Sequence, residues 1–156
     1  MRVVLGALIV GLAVFALVLL IGPSGAEPGA NAASSNLLRR DRGEGGVEIE
    51  VLYVTPEYAR SSNDKALQKY EPDRYAVFVV AMNTHTVGLI GYDMVKISEL
   101  VAGGKRYAPL RWQSTSDNAH HRSGVLVFPK IQPPFPVELL IKTVAGIPVR
   151  RFQWAP

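Results

Sequence analysis

The chain has no cysteine among its 156 residues. Disulfides and thiolate metal sites are therefore excluded, and so is a lipoprotein anchor, which needs a cysteine to acylate. Imidazole is scarce too: His85, His120 and His121 are the only three histidines, so any imidazole chemistry rests on them. No GxSxG elbow is present, which removes an α/β-hydrolase. The glycine-rich Gly43-Glu44-Gly45-Gly46 precedes a strand-like run instead of following one, and no helix comes after it, so it does not fit a phosphate loop. The net charge is +4, but the positive residues are scattered and no basic stripe carries interleaved aromatics, which argues against nucleic acid.

What the chain does have is one long apolar run. Val3 to Ile21 carries no charged or strongly polar side chain. At about 1.5 Å rise per residue such a helix reaches about 28 Å, close to a bilayer core. Residues 1–22 are expected to form a transmembrane anchor with the rest of the chain outside the cytoplasm. The small residues Ser24-Gly25-Ala26 offer the alternative of a cleaved signal peptide and a secreted domain. Residues 23–46 are expected to be a flexible linker, because Gly, Ala, Pro, Ser and Asn bury too little apolar surface to offset ordering entropy. Within it, Arg39-Arg40-Asp41-Arg42 reads as solvated linker, with contact to anionic lipid as the other reading.

Residues 47–156 read as one all-β domain. Val47 to Val54 begins with apolar–polar alternation and is rich in β-branched residues. Tyr75 to Met82 is a continuous apolar run, expected as a central strand. Thr86 to Ile90 reads as a short strand. Val95 to Val101 and Arg106 to Trp112 flank Gly103-Gly104 as a hairpin. Gly124 to Phe128 is a strand ended by Pro129, and Val137 to Val144 with Val149 to Trp154 form a closing hairpin. Ser61 to Pro72 reads as a loop with one helical turn near Lys65 to Lys69. About seven short strands separated by turn signals predict an immunoglobulin-like antiparallel β-sandwich, with Trp112 and Trp154 in the core.

The histidines all fall at strand ends or in loops, where a rigid scaffold can present them. Imidazole is a common ligand of zinc and copper, and two or three imidazoles with one carboxylate complete a four-ligand set. The expected ligands are His85, His120, His121 and Asp93, with Asp117 as the alternative carboxylate. Zinc is the expected ion and copper the second, the latter because Met82 and Met94 lie near the ligands in sequence. Adjacent histidines in a regular strand point to opposite faces, so a regular backbone would leave one of His120 and His121 outside the site. No nucleophile with an oxyanion hole can be assembled, and a metal-dependent hydrolase would have only Glu99 or Asp117 as its base. The rival to metal binding is a non-catalytic module that docks another protein of the cell envelope.

The elements Asn83-Thr84-His85-Thr86, Tyr92-Asp93-Met94, Tyr107 to Trp112, His120-His121-Arg122-Ser123-Gly124 and Val144 to Trp154 together resemble a group of small exported β-sandwich proteins of bacteria and archaea with an N-terminal anchor. The resemblance covers roughly residues 47–154. It implies that His85, Asp93, His120 and His121 belong to one pattern and implies no activity. Asp117-Asn118-Ala119 stands where glycines precede the His-His pair in that group, so the shape of this loop departs from the pattern.

Overall fold

A computed structural model describes residues 36–62, 64–132 and 136–155. The expected anchor lies outside them. Among the described residues no helix is long and apolar enough to cross a membrane.

Nine strands make two antiparallel sheets among these residues: β1 (Leu38–Arg40), β2 (Val47–Val54), β3 (Tyr75–Thr84), β4 (Ser98–Ala102), β5 (Lys105–Tyr107), β6 (Arg111–Asp117), β7 (His121–Pro129), β8 (Val137–Val144) and β9 (Ile147–Trp154). One sheet has the order β1-β2-β3-β7-β6, the other β5-β4-β8-β9. Val47, Ile49 and Val51 of β2, Phe78, Val80 and Met82 of β3, and Leu126 and Phe128 of β7 face the second sheet. They meet Leu100, Leu139, Ile141 and Phe152 there. Phe78 sits at the centre, stacked on Tyr53 and edge-on to Phe128. Each such fully buried side chain is worth about 1.5–3 kcal/mol in transfer free energy. Two layers facing one core are the all-β sandwich read from the sequence.

The outer face of the five-stranded sheet is divided. Leu52, Val54, Val77, Val125 and Val127 are covered by Tyr58, Ala59 and Leu67 from two short helices, α1 (Pro56–Ser61) and α2 (Lys65–Gln68). Thr55 and Asp64 cap them by accepting backbone N–H bonds. That cover explains why β3 is apolar at almost every position, as a strand buried on both faces must be. Beyond Val79 the outer face turns polar, with Glu48, Glu50, Asn83, His121 and Ser123.

Five expectations are corrected. The linker to Gly46 ends earlier: β1 pairs with β2, and Arg39 donates to the Gln153 carbonyl at 2.6 Å and lies over Trp154. Arg40 pairs with Glu50 and Asp41 with Arg150, so two of the three arginines and the aspartate of this cluster are tied to the domain and are not solvated linker. Thr86 to Ile90 forms bends and no strand, because Leu89 plugs the core with 0% exposure while its N–H donates to the Ala119 carbonyl. Val95 to Ile97 belongs to a helical turn, α3 (Met94–Ile97), capped by Asp93, and β4 starts only at Ser98. Arg111 and Trp112 leave the Gly103-Gly104 hairpin and cross to the other sheet as β6, with Pro109 between.

Candidate functional site

The three histidines gather at one end of the sandwich. Alternation along β3 turns Met82 and Thr84 inward, with 0% and 3% exposure, and leaves Asn83 on the outer face. Across β7, Arg122 is buried and His121 faces outward beside Asn83, its register partner. The Asn83 amide oxygen stands 3.0 Å from His121 Nδ1. With that oxygen facing it Nδ1 donates, which in the neutral ring leaves Nε2 as the acceptor. His85 follows β3 directly and its ring is edge-on to His121, with centroids 6.2 Å apart.

His120 sits in the β6–β7 turn. Its N–H donates to Asn118 Oδ1 at 2.9 Å and its carbonyl accepts from Thr84 N at 3.0 Å. The backbone of this residue thus fixes the turn to the end of β3, while its side chain is exposed. His121 belongs to a regular strand, so the pair is split: the sandwich brings His85 and His121 together and leaves His120 at the rim.

Asp93 stands apart from the imidazoles in its bonding. Its Oδ1 accepts from Val95 N at 3.2 Å and Lys96 N at 3.3 Å, and its Oδ2 pairs with Lys96 Nζ at 3.2 Å. The Lys96 side chain, and then the backbone N–H groups, hold its carboxyl below the usual aspartate range. Asp117 is likewise engaged, accepting from Arg122 Nε at 2.9 Å, and hydrogen bonds from Ser114 and Arg122 pull its carboxyl down. Glu99 is bound to Lys142 and Arg106, and the Ser123 hydroxyl is 2.9 Å from Thr115 Oγ1. Met82 and Met94 are core residues with 0% and 1% exposure. Among the described residues no group of three or more His, Asp or Glu side chains stands close enough to hold a metal ion as the side chains now lie.

Arg122 closes this end from beneath. Its guanidinium donates to the carbonyls of Leu89 and Tyr92, pairs with Asp117 and lies 5.6 Å over the Trp112 ring. Tyr92 in turn accepts from Ala145 N at 2.9 Å through its hydroxyl. The segment carrying His85 is thereby stitched to both sheets.

Two residues of this corner were missed in the sequence, Asn83 and Glu48. Glu48 is the register partner of Asn83 on β2, which makes Glu48, Asn83 and His121 one cross-strand row. Period-two alternation marks each as outward-facing, but only strand pairing reveals the row.

At the opposite end lies an apolar groove of about 400 Å³ lined by Leu37, Tyr53, Pro56, Tyr75, Ile131 and Trp154, among others. No protein-family model matches the chain, and no curated protein or solved structure matches it either.

Proposed function

We propose that this is a membrane-tethered, extracytoplasmic immunoglobulin-like domain that binds a transition metal ion, zinc first and copper second, through His85 and His121. The observation that carries the reading is the pairing of those two rings, with Asn83 holding the tautomer of one. Two imidazoles on one tetrahedral ion have ring centroids about 5 Å apart. The observed 6.2 Å closes to that with a small rotation of His85, which is exposed. A metal-bound histidine ordinarily donates its other ring N–H to a fixed acceptor, the role Asn83 fills here. Asp93 and Asp117 would have to give up their present bonds to join. His120 would have to swing in from the turn.

The immunoglobulin-like assignment is supported by strand order. β2-β3-β7-β6 against β5-β4-β8-β9 corresponds to strands A-B-E-D against C′-C-F-G, with β1 as an added edge. The apolar run from Val3 to Ile21 supports the tether.

The test is thermal denaturation of the full-length protein in detergent with and without zinc. At zinc a hundredfold above Kd the shift corresponds to about 2.7 kcal/mol, and His121→Ala and His85→Ala abolish it. Identical melting with and without zinc, and no stoichiometric metal after purification, overturns the reading. It would leave a metal-free interaction module, for which the apolar groove beside Trp154 and the exposed Ile90 and Leu110 speak.

A further inference from the structure

We infer that the end of the sandwich opposite the histidines rests on the lipid bilayer, its cations on anionic headgroups and its apolar groove toward the acyl chains. This inference rests on the tether reading above and is independent of any metal. Chain direction puts the groove beside the tether. β1 runs away from the groove, from Leu38 opposite Leu52 to Arg40 opposite Glu50, and Asn36 and Leu37 just before it line the groove itself. Residues 22–35 separate them from the apolar run that ends at Ile21. A coil of that length has an end-to-end distance of about 20 Å. The ten residues of β3 span more, roughly 33 Å. The groove end, where the tether enters, is therefore the one held at the bilayer.

Charge divides the molecule along the same axis. Arg39, Lys105, Arg111 and Lys130 belong to the groove end and are in no ion pair among the described residues. Arg39 lies over Trp154 and Arg111 over Tyr75, both groove residues. Lys130 lines the groove and donates only to the Asp73 carbonyl, and Lys105 follows the Gly103-Gly104 turn, level with Val137 and Trp154. The carboxylates of this end are taken: Glu57 and Asp73 share Arg60, Glu71 holds Arg74, and Glu138 holds Arg151. At the histidine end the balance reverses. Glu44 and Glu48 are in no ion pair among the described residues, with Arg42 the one such cation near them.

Leu110 adds an apolar contact at the groove end. It is 53% exposed, and its N–H donates to the Val127 carbonyl just before β6 begins at Arg111. Arginine and lysine stems can lie along hydrocarbon while their charged heads reach phosphate. Attraction to a bilayer grows with both apolar area and anionic lipid, and each cation near the surface strengthens it about fivefold. A short tether holds the domain at millimolar effective concentration, so weak contacts suffice.

The experiment exploits the absence of cysteine. Leu110→Cys at the groove end and Ile90→Cys at the histidine end are each labelled with bimane in the full-length protein. The protein is reconstituted in vesicles of phosphatidylcholine and phosphatidylglycerol in equal parts, containing a spin-labelled lipid as quencher. Quenching is expected to be about threefold or more stronger at position 110 than at position 90. Lys105→Glu combined with Lys130→Glu is expected to remove that difference; all four positions are exposed, so the variants keep the fold. Equal quenching at both positions, or a difference that the double charge reversal leaves untouched, overturns the inference. If the protein still floats with the vesicles, the tether stands and the groove is left to a partner protein. A protein that does not float with them overturns the tether reading and this inference together.

Discussion

Arg150 on β9 pairs with Asp41, 109 residues earlier, and the arginine side chain is only 3% exposed. The same guanidinium donates to the carbonyls of Val47 and Glu44, while Asp41 Oδ1 accepts from the backbone N–H groups of Gly43 and Ile49. One buried pair thus pins the entry to β2 against the far sheet. Asp41→Ala leaves the arginine charge buried and uncompensated, which costs about 3–5 kcal/mol. Urea denaturation should show the midpoint falling with an unchanged slope, and proteolysis should begin near Arg42. A loss below about 1 kcal/mol would mean that Arg150 finds water instead.

Gly124 is the place where Trp112 lies against β7. A Cβ there would come within 2.4 Å of the indole ring and 2.6 Å of the Gln113 carbonyl. The Arg122 guanidinium also lies 5.6 Å over the ring. Gly124→Ala should cost about 1–3 kcal/mol by overpacking. Its melting temperature should fall, and the Trp112 fluorescence should change at temperatures where the variant is still folded.

Glu50 sets a pH dependence. Burial pushes its carboxyl above the ordinary 4.5, with Arg40 opposing and Glu48 adding to the rise. A carboxyl that binds its proton more tightly when folded contributes stability that is full below 4.5 and lost as pH rises through the raised value. Glu50→Gln should therefore be more stable than the wild type at pH 7, with the gain vanishing by about pH 4. The Arg40 partner is 54% exposed and gives up little. Melting curves across that range check the slope; a variant that is less stable at pH 7 would show that the ion pair outweighs burial.

Ala145 begins the β8–β9 turn at φ 53°, with Gly146 at φ 76°. Left-handed backbone at both turn positions suits Asn-Gly better than Ala-Gly. Ala145→Asn should raise stability by about 0.5–1 kcal/mol, since the Tyr92 hydroxyl contacts only the backbone N–H of this residue. Equal melting temperatures would indicate that the asparagine side chain meets the nearby Gly45 turn.

Much of this architecture is written locally. β2 and β3 announce themselves by alternation and by a β-branched run, and both glycine hairpins are visible from their turn residues. β1 and β6 are not visible in that way. Leu38-Arg39-Arg40 is too short for any period, and Arg111 to Asp117 is an edge strand whose polar side chains read as loop. α3 was hidden because Val95 and Ile97 look strand-like until Asp93 is recognised as a cap. The meeting of His85 with His121 follows from strand ends, which a sequence does reveal. The row of Glu48, Asn83 and His121 depends on the register between β2 and β3, and twenty residues of intervening chain leave that register unspecified until the sheet closes.

β3 also acts as a spacer. The chain enters the sheet where Leu38 pairs with Leu52, level with Val79, whereas the imidazoles stand past Thr84. At about 3.3 Å per residue the two levels are roughly 20 Å apart. A surface resting against the Leu37 end cannot touch the histidines. Anything that contacts His85 and His121 must arrive from the other end of the sheet.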